Sequence, residues 1–193
     1  TSPAVSRFEL PVAPDFIKLG TTKLAGRSSE DLISATRRAF DRACEAVCPL
    51  ASPRRILVAY AEEDLVGAPS LEAVLELTVR LGWSGLLIDT AKKDGLPLLR
   101  LQSVERLGQL AVACRQAGLL FALAGKLQGD DLENLAEIGP DFVGIRSAGC
   151  DGQDRLRSIS AERIREFRAR IPQPHGIQTD RSTTSGRQPI HGE

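Results

Sequence analysis

The chain has 193 residues, in which 25 Lys and Arg balance 25 Asp and Glu, so no overall field draws it to nucleic acid or an acidic membrane. No apolar run approaches the ~20 residues needed to span a bilayer. The length suffices for one good core but falls short of the roughly 250 residues of a typical closed (β/α)8 barrel.

In chain order, residues 1–14 are a Pro-punctuated lead-in. Thr1-Ser2-Pro3-Ala4 lacks the basic-then-apolar pattern of a signal peptide. Asp15 to Gly20 reads as a short strand, and Ser28 with Asp31 as the N-cap of a helix whose inner side is Leu32, Ala35, Ala39, Ala43 and Val47. Pro49 and Pro53 stop it. Arg55 to Ala61 is the second strand, ending in Glu62-Glu63-Asp64; Ser70 caps a helix carrying Leu71, Val74, Leu75 and Thr78, and Gly82 closes it. Gly85 to Gly95 supplies the third strand, an unbroken apolar Leu86-Leu87-Ile88 run that reads as buried on both faces and delivers Asp89, Lys92, Lys93 and a turn-forming Asp94-Gly95 to a rim.

Ser103 to Ala117 reads as the third helix, with Leu107, Leu110, Ala111 and Cys114 inward and Gly118 as its stop. Leu119 to Ala124 is the fourth strand, running into Gly125-Lys126. Asp130 with Glu133 is expected to cap a helix presenting Leu132, Leu135 and Ile138, which Gly139-Pro140 ends. Asp141 to Ile145 is the fifth strand, continuing into the turn Arg146 to Gly152; a last helix starts near Ser160 with Ile164 and Phe167. From residue 172 the composition is too polar to offset its ordering entropy, so 172–193 is expected to be a disordered tail and 15–171 the folded unit.

Successive βα units joined by short loops imply parallel strands and right-handed crossovers. Five units leave two fold classes open: an open doubly wound sheet, or the last five units of a (β/α)8 barrel. The absence of any methionine, even at position 1, suggests a processed chain or a piece of a longer reading frame.

In both fold classes chemistry collects at the C-terminal ends of the strands, which nominates Lys18, Glu62, Asp89, Lys93, Lys126 and Arg146. A charge ending an apolar strand needs a partner or a function to offset its desolvation, which singles out Asp89; Lys92-Lys93-Asp94 also fits a solvated loop. Both histidines, His175 and His191, fall in the tail, which argues for carboxylates and lysines as the acid–base groups. A partly desolvated lysine beside a second cation can attack a carbonyl and form an imine. Glycine-bearing turns after the fourth and fifth strands suit a phosphate. Several strand-end lysines together favour a small phosphorylated carbonyl substrate. Cys44, Cys48, Cys114 and Cys150 lack zinc-type spacing and are expected to be free and mostly buried, so neither metal nor cofactor is expected.

DFIKLG, VAYAE, GLLIDTAKKDG, ALAGKL and GPDFVGIRSAGCDGQDR resemble the consecutive strand-end motifs of the (5-formylfuran-3-yl)methyl phosphate synthase family, which acts early in methanofuran biosynthesis. The resemblance runs from about Asp15 to about Arg170. It implies a cytoplasmic (β/α)8 barrel similar to class I aldolases, a lyase that joins two glyceraldehyde 3-phosphate molecules into a furan phosphate. By position it makes Lys18 a general base and Asp89 and Lys93 the catalytic aspartate and lysine. Gly125, Lys126, Arg146, Gly149 and Gly152 fall where phosphate is expected, and Glu62 among the substrate contacts.

Three departures accompany the resemblance. The family's imine-forming lysine, in an Asp-Val-Lys motif on an earlier strand, has no counterpart in this sequence. Glu62 stands where the family has Asp. Ser147 stands where the family has Gly, at a backbone angle expected to suit glycine. The alternatives are a non-catalytic phosphate-binding fragment and an unrelated phosphate-binding barrel isomerase or decarboxylase. A chain beginning at Thr1 is expected to expose a strand edge and an apolar patch, which allows a homo-oligomer.

Overall fold

A computed structural model describes residues 14–47, 53–92 and 94–171, without the side chains of 44–47. The expectations for residues 1–13, the Cys44 side chain, Cys48, the stop at Pro49, Lys93, the tail and its histidines therefore lie outside the described residues.

The strands are β1 (Phe16–Gly20), β2 (Arg54–Tyr60), β3 (Gly85–Asp89), β4 (Leu120–Ala124) and β5 (Phe142–Gly144). They pair in the order β1-β2-β3-β4-β5, and every adjacent pair is parallel. Between them run α1 (Ser29–Val47), α2 (Glu63–Val66), α3 (Leu71–Leu81), α4 (Leu98–Leu101), α5 (Val104–Gln116) and α6 (Leu132–Ile138), and α7 (Ala161–Arg170) follows β5. A doubly wound sheet needs a point where the strand order reverses, because only there do right-handed crossovers change face. This order never reverses, so every crossover passes over the same face. The chain is therefore an α/β fold of the (β/α)8 barrel type, with five βα units.

The core lies between that face and the helices. Leu57, Ala59, Leu86, Ile88 and Leu123 are fully buried and Phe121 nearly so. Phe40, Leu71, Val74, Leu107, Leu110 and Leu132 complete the cluster from the helices. Each large apolar side chain buried this way contributes about 1.5–3 kcal/mol relative to exposure.

Alternate strand positions face the concave side. There Phe16, Lys18, Ile56, Leu87, Ala122 and Phe142 help line a cavity of about 410 Å3. Phe16 and Phe142 belong to the two edge strands, yet their rings meet edge to face with centroids 5.9 Å apart. Strands four steps apart in an eight-stranded circuit stand on opposite sides of the barrel axis, so rings meeting across the hollow are what barrel curvature produces.

Several local expectations change. Among the described side chains of α1 the deepest are Thr36 and Phe40 rather than Ala35, Ala39 and Ala43, because Phe40 turns toward Trp83, ring centroids 5.1 Å apart. On α3, Leu77 is buried and Leu75 only half-buried. Asp130 does not cap α6: Gln128 and Asp131 form the capping box ahead of it, and Asp130 pairs with Arg170 at 3.3 Å. Ile164 is 39% exposed, leaving Phe167 to bury α7. The short helices α2 and α4 follow the strand ends and carry too few residues for a periodic signal. Among the described residues, no helix is long and apolar enough to cross a membrane.

At the start of β3, a Cβ on Gly85 would lie 2.6 Å from the Leu120 carbonyl oxygen and 2.9 Å from Ile56 Cδ1. Gly85→Ala should therefore destabilise the protein by about 1–3 kcal/mol, seen as a lower urea midpoint with an unchanged slope. An unchanged midpoint would show that β4 shifts aside freely.

Candidate active site

Asp89 ends β3, where its cross-strand neighbour on β2 is Tyr60. Lys18, in the middle of β1, reaches over β2 to place Nζ 3.9 Å from Asp89 Oδ2. The lysine side chain is 63% exposed and the carboxylate 16%, so the ammonium is the group a solute would meet first. The Thr90 amide donates to Asp89 Oδ1 at 2.8 Å. Such a loose, half-solvated pair adds under about 1 kcal/mol to stability, so its interest lies in placement. Burial, then the Asp89 and Glu62 carboxylates, push the Tyr60 pKa up. A phenol held in that way stays protonated at neutral pH.

The loop after β3 is tied down from two sides. Glu62 is 6% exposed; its Oε2 accepts the Ala91 amide at 2.9 Å and its Oε1 the Lys92 amide at 3.2 Å. Lys126 Nζ donates to the Gly95 carbonyl. Gly125 sits at φ +115°, where a Cβ would fall 2.7 Å from Thr90 Cγ2, and its carbonyl accepts the Leu98 amide at 3.0 Å. Glu62, expected as a substrate contact, thus turns its carboxylate oxygens to the loop backbone, and Lys126 its Nζ. Beneath the loop, Arg106 binds both Glu72 oxygens at 2.8 and 2.7 Å, Glu63 at 3.0 Å and Gln102 at 2.8 Å, while Gln102 donates to the Ala61 carbonyl at 2.9 Å.

The turn after β5 forms two short 3-10 segments, Ser147–Gly149 and Asp151–Gln153. The left-handed residues are Gly152, φ +61°, and Gln153, φ +58°. Ser147 is not among the positive-φ residues, so the strain expected there is absent. Gly149 is buried against Ile164, whose Cδ1 would lie 2.6 Å from an added Cβ. Arg146 is exposed and donates to the Arg155 carbonyl at 3.2 Å. Gln128, Gly129, Ala148, Gln153, Arg163 and Arg170 help frame a second cavity of about 330 Å3. Cys114 and Cys150 are free and buried, and burial, with a smaller contribution from Asp141, pushes the Cys114 thiol up to about 12.

The structure thus brings Lys18 and Asp89 together, sets Glu62, Gly125 and Lys126 to holding the neighbouring loop, and leaves Arg146, Gly149 and Gly152 on the separate β5 turn. Sequence reasoning did not single out Tyr60, which the structure sets beside Asp89. The signal was there: a sole tyrosine closing an apolar strand.

A one-sided parallel sheet with a lysine and a carboxylate facing each other across its concave rim defines a βα-barrel protein of the kind that carries its chemistry at the strand C-termini. The family model described as 4-HFC-P synthase matches residues 7–168, and the chain belongs to that family. It is 33% identical over 158 residues to the (5-formylfuran-3-yl)methyl phosphate synthase of Methanopyrus kandleri, covering 81% of this chain and 64% of the relative. It is 37% identical over 117 residues to the synthase of the same name from Methanocaldococcus jannaschii, covering 59% of this chain and 50% of the relative. The chain thus spans about half to two thirds of the length of these relatives. A crystal structure of 3-hexulose-6-phosphate synthase aligns with a TM-score of 0.45 and 15% identity, covering 82% of this chain and 62% of that one.

Glu62→Ala should release the Ala91 and Lys92 amides and cost about 1–3 kcal/mol. Hydrogen exchange should speed up at those amides while strand amides stay protected; uniform acceleration would contradict a local anchoring role.

Proposed function

We propose that this protein is a class I aldolase-like carbon–oxygen lyase, acting in the cytoplasm on two molecules of glyceraldehyde 3-phosphate to give (5-formylfuran-3-yl)methyl phosphate for methanofuran. The observation that carries the reading is the Lys18–Asp89 pair, 3.9 Å apart on the rim of a family member. Lys18 serves as general base. Asp89, held by the Thr90 amide, moves the protons that carbinolamine dehydration and enolisation require. Lys93 is the second catalytic lysine; its sequence neighbours Ala91 and Lys92 donate their amides to Glu62, and Gly95 accepts from Lys126. The substrate phosphate lies against the turns bearing Gly125, Lys126, Arg146, Gly149 and Gly152, three of which, Gly125, Lys126 and Gly152, have positive φ.

A second reading, phosphate binding without turnover, draws on the missing Asp-Val-Lys motif. Incubation with glyceraldehyde 3-phosphate and borohydride, followed by peptide mass analysis, separates the two. With Lys93 standing in as the attacking amine, the synthase reading predicts furan phosphate and a reduced adduct on Lys93, with turnover about 10²–10⁴-fold lower in Lys18→Met or Asp89→Asn. Saturable binding with neither product nor trapped lysine would favour the second reading. Product without a trapped lysine would contradict the imine mechanism.

A further inference from the structure

Tyr60 is the chain's only tyrosine. It ends β2 beside Asp89, and its ring lies across the end of β1. A Cβ on Gly20 would stand 2.4 Å from the Tyr60 hydroxyl oxygen and 3.2 Å from Cζ, closer than real atoms approach. Gly20 is not among the positive-φ glycines, so what the glycine supplies is room for the phenol. Gly20 itself is exposed, which puts the hydroxyl end of a half-buried ring at the open rim rather than in the core. Three consecutive strands thus present an ammonium, a phenol and a carboxylate side by side: Lys18 from β1, Tyr60 from β2 and Asp89 from β3.

The charges around the phenol fix its chemistry. Burial disfavours a phenolate most, and Asp89 on β3 and Glu62 just beyond β2 add to it; Lys18 on β1 is already engaged with Asp89 at 3.9 Å. The hydroxyl therefore remains a neutral donor. Next to a carboxylate that repels anionic oxygens, such a donor complements Lys18: the ammonium supplies charge, and the phenol supplies a directed hydrogen bond, strengthened when its acceptor is ionised.

We propose that Tyr60 is a further substrate-contacting residue, its hydroxyl donating a hydrogen bond to a phosphate or carbonyl oxygen of the ligand beside Lys18, in the niche that Gly20 leaves open. The proposal rests on the reading of the rim given above, and the test separates the two. Calorimetric binding of glyceraldehyde 3-phosphate would be compared among the unaltered chain, Tyr60→Phe, Gly20→Ala and Lys18→Met. Ionisation of the sole tyrosine would be followed by ultraviolet absorbance with and without ligand.

Loss of one such hydrogen bond should weaken binding about tenfold in Tyr60→Phe, with unaltered far-ultraviolet circular dichroism. Gly20→Ala should weaken binding comparably although it keeps the hydroxyl, because the methyl group displaces the ring. Ligand should raise the pH at which the phenol ionises, since only the protonated form donates. If Tyr60→Phe binds as the unaltered chain does while Lys18→Met is weakened, Tyr60 is a packing residue and the proposal fails with the rim intact. If Lys18→Met also binds normally, the rim is not the binding site and both readings fall.

Discussion

The parallel sheet carries its helices on one face only, and that one-sidedness sets up everything else. With Leu57, Leu86 and Ile88 fully buried against the helices, the sheet must curl toward its other face. The curl is tight enough for Phe16 and Phe142, from the two edge strands, to touch at 5.9 Å between ring centroids. A sheet of the same strands with crossovers on both faces would remain open, and Lys18 and Asp89 would lack the concave wall on which they meet.

Parallel strands all end on one side, so the rim receives the polar residues that the apolar strands cannot bury. Asp89 is tolerated there because the Thr90 amide donates to it and Lys18 stands near, and Glu62 because both its oxygens accept backbone amides. The two carboxylates are held in different ways. Glu62, 6% exposed, has both oxygens occupied by the chain itself, whereas Asp89 keeps one oxygen toward an exposed ammonium. A side chain whose acceptors are already filled is suited to holding a loop in place. One facing a loosely placed, exposed partner leaves that partner able to turn to a ligand. Gly20 and Gly125 shape the same rim by omission, admitting the Tyr60 ring and the Thr90 side chain respectively.

Much of this was legible in the chain. The Leu86-Leu87-Ile88 run followed by Asp89 read correctly as a buried strand delivering a charge, because continuous hydrophobicity and an abrupt carboxylate are both local signals. The caps at Ser28 and Ser70 were equally visible, each hydroxyl accepting an amide three residues on, and the helix starts read at Ser103 and near Ser160 turn out to be capped in the same way. What the sequence hid were pairings between distant residues. Nothing near Glu62 announces that it will bind amides 29 and 30 positions away, and Asp130 resembled a cap until Gln128 and Asp131 took that role. Periodicity also misjudged α1, where the core accepts Thr36 and Phe40 because Trp83 waits opposite.

The central claim is that Lys18 and Asp89, drawn together by the curl of the sheet, act as one unit on an anionic carbonyl substrate. A double-mutant cycle on kcat/KM for glyceraldehyde 3-phosphate, using Lys18→Met, Asp89→Asn and the combined variant, tests it most directly. Groups that work as a unit are strongly non-additive. The account predicts that the double variant loses little more than the worse single variant. Losses that multiply would show two independent residues and contradict the shared site.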